Sequence, residues 1–165
     1  MVWRSNLKWL LIAGAMGLPA AAQQSAPPLP PPHAPAAGSA ALYIDHQQIA
    51  AALTAAIAAK SNPALGPISS TDQYFINVVQ RTAAAAPAVH PGWSELHYIL
   101  EGSGNFVTGG TLRETSPGGP KVIEGGVSRT VQQGDAILVP AGTPHWYQKI
   151  DGSLRAIEVR FIAPP

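Results

Sequence analysis

The chain has 165 residues, of which 46% are apolar and 12% charged; this suits one compact domain and excludes a charge-rich disordered protein. Ten Lys plus Arg face nine Asp plus Glu; with Arg4 and Lys8 set aside in a leader, eight cations face nine anions, leaving a phosphate-backbone partner no electrostatic footprint. Cysteine is absent, which excludes disulfides, thiol catalysis and thiolate metal sites, so any metal must be held by nitrogen and oxygen.

At the amino terminus, Arg4 and Lys8 precede an apolar stretch from Trp9 to Leu18 that ends in Pro19 and Ala20-Ala21-Ala22. That is the layout of a secretory signal peptide over residues 1–22, with a periplasmic or secreted product. The run is short for a bilayer-spanning helix and is interrupted by Gly14 and Gly17, so no membrane association is expected after cleavage. Residues 23–40 hold Pro27, Pro28, Pro30, Pro31, Pro32 and Pro35 among Ala, Ser and Gln, a composition that forms a semi-rigid spacer without a core. His33 lies in this spacer and is assigned no role. The folded domain is placed at residues 41–165.

Within it, Asp45 and Gln48 form a capping pair, and Ile49, Leu53 and Ile57 recur at intervals of four, predicting a helix from about His46 to Lys60. Asn62-Pro63 ends it, and its Ala-rich, narrow apolar face predicts a helix on the outside of something larger. Beyond Pro67 the pattern turns to short β-rich runs: Tyr74 to Thr82, Glu95 to Glu101, Asn105 to Thr108, Val127 to Val131, Ala136 to Val139, Trp146 to Ile150 and Leu154 to Ile162. These predict an antiparallel sandwich or small barrel, with the Gly- and Pro-rich stretch Ser116 to Gly126 as a loop between strands.

Two segments carry the candidate chemistry. In the first, His90 precedes a Pro-Gly turn, and the alternation of a strand puts Glu95, His97 and Ile99 on one face and Leu96, Tyr98 and Leu100 on the other. In the second, Gly134-Asp135 turns into a strand, Pro140 and Gly142 turn out of it, and His145 opens the next strand with Tyr147 on the same face. Arg81 is the nearest candidate for gripping a substrate carboxylate, although an outward, salt-bridged arginine is the commoner outcome.

These segments resemble the cupin superfamily. His90, Glu95 and Gly102 match the latter part of its first motif, and Gly134, Pro140, Gly142 and His145 match its second. The resemblance implies an all-β fold, a double-stranded β-helix or jelly-roll barrel, here with one N-terminal α-helix, and with metal ligands clustered in the barrel mouth. Two positions depart from the pattern: Ala88 stands where the first motif has its first histidine, and Lys149 where the second has asparagine. His97, on the face of Glu95, is expected to replace the missing imidazole, giving metal ligands His90, Glu95, His97 and His145.

Such a set suits a divalent Fe, Mn, Zn or Ni ion, and ligand type does not separate them. The functional expectation is an exported metal-dependent enzyme acting on a small organic molecule, with Tyr147 as a proton donor. The alternatives are a non-catalytic small-molecule binding or sensing module and a metal-free dimeric scaffold; a homodimer is suggested by family habit alone.

Overall fold

The computed structural model describes residues 40–162, so the expected signal peptide and the spacer up to residue 39 lie outside the described residues. Helix α1 (His46–Ala58) opens as the sequence predicts. The Gln48 amide donates to Asp45 Oδ1 at 2.8 Å, and the Asp45 amide donates to Gln48 Oε1 at 3.0 Å, so two amides that the helix itself leaves unpaired are satisfied. It ends two residues before the expected Lys60, which adopts a left-handed φ of 55°.

The packed face also differs from the expected four-residue ladder. Ile49, Ala52 and Leu53 are half-buried and Ala56 is buried, whereas Ile57 is 39% exposed. Two consecutive steps of four drift around a helix of 3.6 residues per turn, so the i, i+3, i+4, i+7 positions make the contact instead. The helix lies against β1 (Ala64–Ser70) and β2 (Tyr74–Arg81). Gly66 permits the close approach: a Cβ there would lie 2.5 Å from the Ala52 carbonyl oxygen.

β1 was not among the expected strands. It contains Gly66 and Pro67, which weaken the strand signal, but it sits at the sheet edge with a register shift between Pro67 and Ser69, where a missing amide donor is tolerated. The remaining strands are β3 (Ser94–Thr108), β4 (Thr111–Glu114), β5 (Lys121–Glu124), β6 (Val127–Gln132), β7 (Ala136–Val139) and β8 (His145–Phe161). The order is β1-β2-β8-β3-β6, with β7 also paired to β3, and all pairings are antiparallel. Part of the segment expected as a loop, Ser116 to Gly126, is strand: β5 pairs with β4 as a separate two-stranded unit.

Four expected strands merge into two. β3 and β8, of 15 and 17 residues, pair along their whole length from Ser94–Phe161 to Thr108–His145. Register shifts near Glu101, Ser103 and Asn105 mark bulges, which bend and twist a strand without ending it. Gly102 permits one such step: its φ is 83°, and a Cβ would fall 1.9 Å from the Ser153 carbonyl oxygen. The curled pair encloses a core of Ile99, Phe106, Val131, Val139, Tyr147, Leu154 and Ala156. The expected alternation in β3 holds, with Glu95, His97 and Ile99 at most 1% exposed while Leu96 and Tyr98 are 37% and 46% exposed.

Candidate metal centre

Backbone hydrogen bonds stitch the two chemistry-bearing segments together before any side chain is considered. Ala88 and His145 exchange both of their backbone bonds, at 2.9 and 3.0 Å. The His90 carbonyl accepts from the amides of Trp93 at 3.3 Å and Gly142 at 3.1 Å, and the Ala141 amide donates to Ser94 Oγ at 3.2 Å. The Pro91-Gly92 turn after His90 and the Gly142 turn before His145 are thus clamped to each other. The imidazole rings lie side by side as a result, with centroids 5.4 Å apart.

Glu95 reaches the same point from inside the barrel. His90, Glu95 and His145 each offer a donor atom within 4.8 Å of the others, and Glu95 Oε1 lies 3.3 Å from His90 Nε2 and 3.6 Å from His145 Nε2. Donors each about 2.1 Å from one ion stand about 3.0 Å apart at a right angle and about 3.4 Å apart at the tetrahedral angle, so the separations suit a shared ion. Oε1 is buried and makes no hydrogen bond; it faces the two imidazoles, with Arg160 Nε 3.4 Å away as an ion-pair contact.

The protonation states suit the same role. The Thr143 carbonyl lies 3.0 Å from His145 Nδ1 and can only accept, so Nδ1 carries the proton and Nε2 presents its lone pair toward Glu95. Burial holds His145 below its ordinary value, and burial together with Arg160 does so for His90, so both rings favour the neutral, ligating form. Burial would raise the Glu95 carboxyl, but the His97 hydrogen bond and the charges of Arg160, His145 and His97 bring it below the usual value.

Of the four ligands expected from the sequence, the structure brings three together and leaves His97 one step behind them. His97 Nε2 lies 3.2 Å from the other Glu95 oxygen, Oε2, and Nδ1 lies 3.2 Å from both the Tyr147 hydroxyl and Glu158 Oε1. Glu158 is also bonded by Arg81 Nη1, and the Arg81 guanidinium sits over the Tyr147 ring, 4.4 Å from its centroid. Arg81, expected to point outward or to grip substrate, is instead turned into the barrel and 9% exposed.

Glu95, His97, Glu158 and Arg81 therefore form a buried row of alternating charge. Burial alone would lower His97, yet Glu158 and Glu95 on either side raise it above its ordinary value. Burial would raise Glu158, but His97 and Arg81 hold it well below the usual carboxylate range. Burial, with Glu158 adding to it, pushes the Tyr147 hydroxyl up against the opposing charge of Arg81, so it keeps its proton.

A pH dependence of the metal-free protein follows. Glu158, lowered in the fold, contributes stability that is present above 4.5 and lost as the pH falls below it. His97, raised in the fold, contributes stability that is full below 6.5 and lost as the pH rises through its folded value. His90 and His145, lowered, add a rise toward 6.5, because below that value the unfolded chain takes up protons that the fold resists. Denaturant unfolding with chelator, across the pH range, is expected to place maximum stability near 6.5; stability still climbing from there to about pH 8 would contradict the assignment of His97.

A family model described as Cupin matches residues 67–160, more than half of the chain. The chain belongs to the cupin family. Among solved structures, this cupin is similar to the protein BH2720 from Bacillus halodurans, at 14% identity over 74% of this chain and 83% of that one, with a TM-score of 0.50. It is also similar to a predicted oxalate decarboxylase from Thermotoga maritima, at 16% identity, covering 60% and 79% of the two chains with a TM-score of 0.46. A third is HppE in its cobalt form with substrate, at 18% identity, covering 61% of this chain and 52% of that one, with a TM-score of 0.48. At these identities the likeness is one of fold. No curated protein sequence matches the chain.

As a cupin, the protein departs from its family at Ala88, and the structure shows what that leaves. Ala88 keeps the backbone pairing with His145 but supplies no donor, so the cavity beside the imidazoles is walled by Ala85, Ala86 and Ala88. The cavity measures about 210 Å³. Trp146 Nε1 bonds the Ala85 carbonyl and fixes this wall, while Trp93 packs on Phe75 with centroids 5.0 Å apart. Two cavity residues were missed by the sequence reading: Glu158 and Arg160 share the inward face of β8 with Leu154 and Ala156, so the same alternation that exposed Glu95 and His97 would have found them.

Proposed function

We propose that this cupin is an exported metal-dependent enzyme that holds a divalent ion through His90, Glu95 and His145 and acts on a small organic molecule in the barrel mouth. The reading is carried by one observation: a fully buried carboxylate oxygen, Glu95 Oε1, makes no hydrogen bond and faces two imidazole nitrogens, with only the long 3.4 Å ion-pair contact to Arg160 Nε beside them. Two histidines and one carboxylate leave coordination positions open, the pattern associated with non-haem iron, although Mn, Zn or Ni also accept these donors. Bound there, the ion would supply Lewis-acid chemistry or, for iron or manganese, oxygen chemistry.

The protein's own residues divide the remaining work. His97 fixes the second oxygen of Glu95 and so aims the first, while Glu158 and Arg81 hold His97 from behind. Tyr147 lines the cavity with its hydroxyl against His97 Nδ1; accepting from that nitrogen leaves its own proton for a substrate atom. The alanine wall, short and apolar, leaves room for the substrate's carbon skeleton.

Metal analysis of protein purified without chelator tests the reading. The expected result is close to one divalent ion per chain, and a rise in melting temperature when the ion is restored after chelation. An ion-free protein that gains no stability from any of the four metals would leave a metal-free scaffold in its place.

A further inference from the structure

We propose that the ligand of this site is a small organic carboxylate whose acid group is gripped by Arg160 at the cavity rim. The inference rests on the metal reading above and narrows it to a substrate class. Arg160 stands directly across from Glu95 in the β3–β8 register, and its Nε lies 3.4 Å from Glu95 Oε1, the same oxygen that faces both imidazoles. That long contact engages only Nε, and an ion on the same oxygen would weaken it further, so the remaining N–H donors of the guanidinium are available at a place where its side chain is 39% exposed.

Arg81, which also lines the cavity, is by contrast buried, closely paired with Glu158 and stacked on Tyr147. Charge leads to the same conclusion. Glu95 supplies one negative charge to a rim that would hold a divalent cation and Arg160, so an anion is needed to balance it. The planar guanidinium fork matches a carboxylate in two parallel hydrogen bonds.

Shape then favours an organic acid over an inorganic anion. Among the described residues the cavity lining includes no lysine and no glycine, and its other cation, Arg81, is committed to Glu158, so it offers neither a second free cation nor a glycine loop of the kind that cradles phosphate. The same cavity is lined by the short apolar side chains of Ala85, Ala86 and Ala88, suited to carbon. The cavity of about 210 Å³ lies below the roughly 300–1,000 Å³ of pockets that hold drug-sized ligands, which sets the scale at a small acid.

The test uses the cobalt-loaded protein, whose visible spectrum reports on the ion, titrated with lactate, with lactamide as its uncharged match, and with inorganic phosphate. Lactate is expected to perturb the spectrum at least tenfold more tightly than either of the others. Arg160→Gln should still take up cobalt yet bind lactate roughly 10- to 100-fold more weakly, with Arg160→Lys between the two. Cobalt uptake with lactate no tighter than lactamide or phosphate, or with unchanged lactate affinity in both variants, overturns this proposal and leaves the metal reading standing. Failure of the unaltered protein to take up cobalt overturns both.

Discussion

Replacing His145 with alanine is expected to reduce metal affinity by more than the roughly 10- to 100-fold that losing an outer hydrogen-bonding partner costs, while the barrel stays folded. The ring is preorganised on three counts: its strand begins at that residue, the Ala88 backbone bonds fix its Cα, and the Thr143 carbonyl sets its tautomer. Without it, only His90 and Glu95 remain of the converging set. The metal-free variant should lose no more than about 1–2 kcal/mol, because the ring borders the cavity and its loss leaves no buried charge unpaired. Thermal melts with and without added ion separate the two effects. The unaltered protein should gain about 2.7 kcal/mol at an ion concentration one hundred times the dissociation constant, and His145→Ala should gain almost nothing there. A variant that is stabilised by the ion as strongly as the parent would remove His145 from the ligand set.

The opposite division is expected for Glu158. It is 4% exposed, bonded by Arg81 and placed 3.2 Å from His97, so Glu158→Ala strands an arginine and an imidazole in the interior. Breaking a buried pair from one side costs about 3–5 kcal/mol. For a domain of this size that lowers the melting temperature by on the order of 10–20 °C. Metal affinity should fall as well, by roughly tenfold, because His97 loses the group that fixes it and no longer aims Glu95. Glu158→Gln keeps the shape and an acceptor and should recover part of the stability. A fall in melting temperature of under about 3 °C for Glu158→Ala would show that the buried row is not the structural keystone the geometry makes it.

These two residues also show what the sequence could and could not convey. His145 was legible because a Pro-x-Gly turn followed by histidine at a strand start is a local pattern, and the cupin motifs name the position. The inward face of Glu95, His97 and Ile99 was legible for the same reason, since alternation along a strand needs no knowledge of its neighbours. The role of His97 was not. Sequence spacing placed it on the right face but could not show that Glu158, more than sixty residues away, would sit against Nδ1 and that Glu95 would take Nε2. Partner identity is a matter of sheet register, which couples His97 to Glu158 across β3 and β8 and is set by the whole fold. Local strength likewise misled at the edges. The Gly66-Pro67 strand and the four-residue β5 carry weak propensity and form because a neighbouring strand pairs with them.

The pairing of β3 with β8 along their full length has a last consequence. One strand carries Glu95 and His97, the other His145, Tyr147, Glu158 and Arg160, so two of the three donors, most of the row behind them and the rim cation are mounted on a single two-stranded girder. His90, the alanine wall and Arg81 at the end of β2 are supplied from outside it. Divergence of this protein toward new ligands therefore has a natural place to occur: residues 85–88 can be exchanged to reshape the mouth, while the girder keeps Glu95 and His145 in register.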